Sequence, residues 1–400
     1  MSDKDLRTAL LAQPVPDEHI AEERTWETVR SAYLAREPVA RRRRVPWRLL
    51  LVLAVAGAGV AIALTPPGPA IGEWVRDRVG REQAVPVEPA KPAVLSLPAP
   101  GRLLATSPEG VWIVGEDGSR RLLGAYDGAA WSPGGLFVAA WRGRELAALD
   151  PEEAEFVHWT LTRDEIEVAR WSSSGFRVAY LSGGSLRVVV GNGTGDRELA
   201  AQVSPVAPAW RPGREEVVAY ADATGRVVVV DADTGKVSWR TAQALAPLAL
   251  AWTDDAERLA VLGERQIRVF QAPKKRLATI RLPAGAVGSA IATRPGSHDL
   301  AYTIFSPGTG ESAVYLLDAR RSRTRLVFAG AGRLDALTWS PDGALLFVGW
   351  PAADEWLFVS ADGRARVTAV TNVARELDPG GTGTAGAPRV EGWCCPAEPG

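Results

Sequence analysis

The stretch Trp339-Ser-Pro-Asp-Gly-Ala-Leu-Leu-Phe-Val-Gly-Trp350 puts a Trp at the end of one apolar run, then a Pro/Asp/Gly turn, then a second apolar run. Asp and Gly suit the turn because they supply local hydrogen bonds and positive φ, and Leu-Leu-Phe-Val suits a buried strand. The same phrase stands at Trp131-Ser-Pro-Gly-Gly-Leu-Phe-Val-Ala-Ala140 and at Trp171-Ser-Ser-Ser-Gly-Phe-Arg-Val-Ala-Tyr180. It returns at Trp210-Arg-Pro-Gly-Arg-Glu-Glu-Val-Val-Ala-Tyr220 and Trp252-Thr-Asp-Asp-Ala-Glu-Arg-Leu-Ala-Val261, with a weaker copy at Thr293-Arg-Pro-Gly-Ser-His-Asp-Leu-Ala-Tyr302. Successive anchors lie 40, 39, 42, 41 and 46 residues apart. That interval holds four short strands and their turns. Third and fourth strands are visible in Ser185-Leu-Arg-Val-Val-Val190 and Asp196-Arg-Glu-Leu-Ala200, and around the Asp233-Thr-Gly235 hairpin turn. One such sheet alone exposes both faces, so the units must stack. The fold read is all-β, a β-propeller.

Its ends set the blade number. Arg389-Val-Glu-Gly-Trp393-Cys394-Cys395 copies the strand before each turn, yet nothing follows to complete a unit. Conversely, Leu103-Leu-Ala-Thr-Ser-Pro108, Val111-Trp-Ile-Val114 and Arg120-Arg-Leu-Leu123 read as outer strands without a leading one. Joined, they make a composite seventh blade and remove an open edge. Seven blades is the expectation; six is the alternative, with the end pieces packed as caps.

Upstream, Leu49–Leu64 is an uninterrupted apolar run that, with its flanks over 45–65, nears the roughly 20 residues of a spanning helix. Arg41, Arg42, Arg43 and Arg44 precede it and assign the N-terminus to the cytoplasm by the positive-inside rule. Pro66-Pro-Gly-Pro69 ends it. A cleaved signal is the rival reading, opposed by the long leader and the lack of a small-residue cleavage site. Residues 1–44 form a cytoplasmic segment in which Trp26, Val29 and Tyr33 fall at helical spacing. Residues 66–101 read as a short amphipathic juxtamembrane helix and a Pro/Ala-rich linker, 102–395 as the propeller, and 396–400 as a tail.

Composition narrows the chemistry. A formal net charge of −1 argues against a nucleic-acid partner. His19, His158 and His298 have no ligand-spaced partners, so no metal site is expected. No nucleophile elbow, Walker loop or dinucleotide fingerprint is present, and neither catalytic residues nor a cofactor are assigned. The paired acids Glu152-Glu153, Glu215-Glu216 and Asp254-Asp255 read as solvated turn residues, and Asp231-Ala-Asp233 as a turn rather than a calcium loop. Cys394 and Cys395, the only cysteines, read as small side chains on opposite strand faces; a vicinal disulfide is the alternative. Trp112, Trp141, Trp350 and Trp356 lie outside the anchor positions and divide between core packing and an end face that could stack on a glycan.

The Trp-Ser-Pro-Asp-Gly units resemble the TolB-type, WD-repeat-like propeller repeats of bacterial envelope proteins over residues 103–395. The anchor Trp131, Trp171, Trp210, Trp252, Trp339 and Trp393 are packing residues, so the likeness specifies a fold and leaves function open. The whole arrangement is similar to membrane-anchored propellers of high-GC Gram-positive bacteria. The unit with Asp231, Gly235 and Trp239 also resembles one repeat of quinoprotein propellers.

The function expected is a single-pass, extracytoplasmic, non-catalytic module of the cell envelope that binds a protein, peptide or glycan. One alternative is a transmembrane, anti-sigma-like regulator whose residues 1–44 hold a cytoplasmic partner. The other is a propeller enzyme, a lyase or a quinone-dependent oxidoreductase.

Overall fold

The computed structural model describes residues 96–153, 156–271, 275–361, 366–377 and 387–395. Their strands form seven four-stranded sheets. The inner strands Gly128–Trp131, Ile166–Trp171, Ala209–Arg211, Pro247–Trp252, Val287–Thr293 and Leu337–Trp339 lead blades 1 to 6, each followed by three strands in chain order. Blade 7 is composite: Arg389–Cys394 is innermost, then Arg102–Ser107, Gly110–Val114 and Arg120–Gly124. Each inner strand touches the next blade's inner strand, and Arg389–Cys394 touches Gly128–Trp131. The ring therefore closes with seven blades, not six. The end pieces do not cap the ring; they pair antiparallel, Leu103 opposite Trp393 and Thr106 opposite Arg389.

Hydrophobic packing divides into seven clusters, and each straddles one blade boundary. The strand pleat explains how. In Arg177–Ser182, Val178 and Tyr180 face blade 1, whereas Ala179 and Leu181 face blade 3. A strand covered on both sides has no polar face, which is why these segments read as unbroken apolar runs. Trp112, Trp141, Trp350 and Trp356 are all buried in these slabs, so none serves an end face. Trp112 Nε1 donates to Ser107 Oγ at 3.0 Å, and Trp350 Nε1 to Ala331 O at 2.7 Å.

The expected span at 45–65, the Arg41–Arg44 run, and the helical stretches before residue 96 lie outside the described residues. Among the described residues no helix is long and apolar enough to cross a membrane.

Blade 2 carries a polar knot on its outer side. Asp196 accepts from Arg187 Nη2 at 2.6 Å, from Arg163 Nε at 2.6 Å, and from the Tyr180 hydroxyl. Burial acts to raise the Asp196 carboxyl, but Arg187, Tyr180 and Arg163 outweigh it and hold the group below the usual carboxylate range. Burial, with the Asp196 carboxylate, pushes the Tyr180 phenol up. An Asp196→Asn variant leaves two guanidinium groups without their anion and should cost about 3 kcal/mol in denaturant unfolding at neutral pH. The carboxylate's contribution exists above its unfolded-state value and fades as pH falls through the lowered folded value. The two proteins should therefore converge in stability in strong acid.

Candidate functional site

Each anchor packs backward onto the preceding blade: Trp171 lies in the blade 1–2 slab, Trp210 in the 2–3 slab and Trp393 in the 6–7 slab. Trp210 Nε1 donates to Arg170 O at 2.9 Å, and Trp339 Nε1 to Ala292 O at 3.4 Å. In both cases the acceptor immediately precedes the previous blade's anchor. Thr293, which replaces Trp in blade 5, donates its hydroxyl to Trp252 O at 2.6 Å instead.

In blades 1 to 6 the residue after each anchor takes one of two roles. Ser132, Ser172, Thr253 and Ser340 turn their hydroxyls back to accept from the N–H groups of Phe137, Arg177, Arg258 and Leu345. Arg211 and Arg294 instead reach forward. Arg211 lies 5.1 Å over the Trp252 ring and donates to Ala256 O at 2.9 Å; Arg294 lies 5.3 Å over Trp339 and donates to Gly343 O at 2.9 Å. Blade 7 has the same clamp from a different strand: Arg102 stands 5.0 Å over Trp131 and donates to Gly135 O at 3.1 Å. Each carbonyl is four residues past the clamped Trp, so alternate seams at blades 3–4, 5–6 and 7–1 share one device. A cation over a ring contributes about 0.5–1 kcal/mol where solvent reaches it.

The position before each anchor is the most informative on the inner ring. It holds Ala130, Ala209, Ala251, Ala292, Thr338 and Gly392, but Arg170 in blade 2. Small residues let seven inner strands converge. Arg170 is half-buried, and its Nη1 donates to Ala169 O at 2.9 Å. Burial pushes its guanidinium down, Glu391 pulls it back up, and Arg389 adds to the lowering. Glu391 and Arg389 belong to blade 7. Blade 1, whose inner strand carries the small residues Gly128, Ala129 and Ala130, stands between them and Arg170.

Asp335 and Arg389 both stand four residues before their anchors, Trp339 and Trp393. Burial pushes the Asp335 carboxyl up; Arg389 and backbone N–H groups oppose this, and Glu391 adds to it. Asp335 Oδ1 has no hydrogen-bond partner among the described residues. Glu391 is held by Arg389 Nε at 3.6 Å and by the Thr106 hydroxyl at 3.4 Å. Two cations and two carboxylates thus share the inner ring, one acid having an oxygen without a donor. That set can bind a polar ligand and orient it. A concavity of about 550 Å³ lies between blades 7 and 1 and is lined by Arg102, Arg120, Arg121, Glu116, Asp117 and Glu152.

Several sequence expectations change here. The paired acids are not simply solvated. Asp255 accepts from the Thr253 hydroxyl at 2.6 Å, Asp254 from the Gly296 N–H of the next blade at 2.6 Å, and Glu152 binds Arg102. Thr253 lies in Asp255's own turn, whereas Gly296 and Arg102 belong to adjacent blades that the ring brings alongside. Glu215 stands 3.8 Å from Arg177. Asp231 closes its own turn, accepting from the N–H groups of Asp233 and Thr234, as expected. His298 does have partners: Asp299 and Asp318 lie within 3.5 Å of its Nε2, Asp318 coming from the paired strand. Asp318 already accepts from the N–H groups of Arg320 and Arg321, and Arg294 and Arg321 face the two acids, so the trio reads as an ion cluster.

Cys394 and Cys395 are joined as a vicinal disulfide, against the expectation of opposite faces. The inner strand ends at Cys394, so the pleat that would separate the two side chains does not extend to Cys395.

No family model matches this chain, and no curated protein matches it. Among solved structures it is similar to Kuenenia stuttgartiensis hydrazine synthase, at 12% identity and TM-score 0.49 over 64% of this chain and 79% of that one. It is also similar to the β-propeller domain of Myceliophteria thermophila Cps50 (Swd1), at 14% identity and TM-score 0.48 over 61% and 85%. A chain of a mitotic checkpoint complex matches at 18% identity and TM-score 0.49 over 80% and 100%. At these values no partner, substrate or reaction transfers to this protein.

Asp335 gives a direct test of the inner ring. Its raised folded-state value means the native state holds the carboxylate at a penalty at neutral pH, relieved as pH falls through that value. Asp335→Asn should raise the melting temperature at neutral pH, and the gain should shrink as pH falls through the raised folded-state value and be gone below the ordinary carboxylate range.

Proposed function

We propose that this protein is a single-pass, TolB-type envelope propeller whose ring faces the extracytoplasmic side and binds a protein or peptide ligand without catalysing a reaction. The observation that carries the reading is Arg170, the one long charged side chain at a ring position otherwise held by Ala, Thr or Gly. With Glu391, Arg389 and the donor-poor Asp335 it forms a mixed-charge set suited to polar side chains and backbone groups. Placing binding groups on a rigid, closed ring keeps them ordered before the ligand arrives. The apolar run Leu49–Leu64 behind Arg41–Arg44 supports the anchor and its orientation. The amphipathic spacing of Trp26, Val29 and Tyr33 supports a second reading, in which residues 1–44 carry occupancy inward to a cytoplasmic partner.

The full chain in detergent, immobilised and exposed to envelope extract, should retain a defined protein or peptide. Arg170→Ala should reduce retention at least tenfold, a loss of about 1.4 kcal/mol or more, with the melting temperature little changed. Retention of glycan alone would redirect the ligand class, and equal retention by the variant would remove the inner ring from the mechanism.

A further inference from the structure

Cys394–Cys395 cannot act as a staple. A disulfide that constrains the unfolded chain does so by closing a loop, and these residues are adjacent. Its place in the fold points elsewhere. Cys394 occupies the post-anchor position, where other blades use Ser or Thr to cap the turn into their second strand. In blade 7 that second strand comes from the other end of the domain, so there is no such turn to cap. The clamp that Arg211 and Arg294 make from this position is also made by another residue, Arg102, which pairs across the strands with Cys394.

The sulfurs sit at the last seam of the ring. An atom added at the Cβ position of Gly135 would lie 3.1 Å from Arg102 Nη2, 3.4 Å from Cys394 Sγ and 3.5 Å from Cys395 Sγ. Gly135 O is the carbonyl that Arg102 holds. Cys394 Sγ lies 3.8 Å from Ser132 O, in the same turn of blade 1. Both cysteines are half-buried rather than enclosed in the core.

We propose that Cys394–Cys395 is a reversible redox site, reduced by a dithiol, whose state sets how firmly blade 7 holds blade 1. One thiolate of the dithiol attacks Cys395 Sγ and forms a mixed disulfide. The S–S bond breaks and its electron pair leaves on Cys394 Sγ, beside the Arg102 cation that favours the departing thiolate. The second thiol of the reagent then displaces Cys395 as thiolate. The reagent ends as its own disulfide, two electrons pass to the protein, and both cysteines take up protons. Oxidised, Cys394 has no proton to give; reduced, its S–H can donate to Ser132 O. The change therefore occurs at the Ser132–Gly135 turn that Arg102 clamps.

The test uses the full chain in detergent, equilibrated across ratios of reduced to oxidised dithiothreitol. Alkylation followed by intact mass should show no reactive thiol at the oxidising end, two at the reducing end, and one two-electron transition between them. Hydrogen exchange of peptides covering 102–107 and 131–137 should change on the order of threefold across that transition, while peptides of blades 3 to 5 stay fixed. A Cys394→Ser/Cys395→Ser variant should show no dependence on the redox ratio. Two reactive thiols without reductant, or identical exchange at the seam in both states, would overturn the proposal. Neither readout depends on ligand capture, so the result is independent of the binding function.

Discussion

Every sheet here has two apolar faces, and neither can be left to water. The only cover available to a blade is another blade, so the fold exists only as a closed ring. Closure rests on one pairing between distant parts of the chain, Arg102–Ser107 against Arg389–Cys394. Leu103 and Ala105 from that pair fill the slab toward blade 6, and Leu104 fills the slab toward blade 1, all with no solvent exposure. Uncovering a Leu or Val side chain costs about 1.5–3 kcal/mol, so two open slabs would outweigh any single polar contact at the seam. Gly101 shows how tightly the join is made: any side chain there would begin 2.4 Å from Cys394 O.

Polar groups then act at the seams as well as within blades. Trp210 and Trp339 donate backward, and three arginines lie forward over the next anchor with a hydrogen bond to the turn beyond it. These contacts are individually small. They fix the order and angle of surfaces that nonpolar packing alone would let slide, which is where directional bonds add most to a core of this type. The repeat tolerates exchange of roles: Thr293 stands in for a Trp, and Arg102 supplies from a second strand what Arg211 and Arg294 supply from the inner one.

The inner ring follows from the same geometry. Strands converging on an axis leave room for small residues, and six of seven blades comply just before the anchor. Arg170 departs from that rule and couples with Glu391 and Arg389 across an intervening blade. Asp335 keeps an oxygen without a partner. Departures from a repeat that packing explains everywhere else are where function is most economically sought.

The repeat period, the strand character of each run and the composite blade were all legible in the sequence, because turn chemistry and two-sided burial act over a few residues and recur. The Arg170 signal was present too, in the column of small residues before each anchor, and is visible once the units are aligned on Trp. What the tertiary structure alone decided were the partners: Asp254 with Gly296, Arg102 with Trp131, His298 with Asp318, and both cysteine sulfurs at the Gly135 turn. Most of these contacts join neighbouring blades or paired strands, and no local pattern encodes which side chain a closed ring will bring to the other side of a seam.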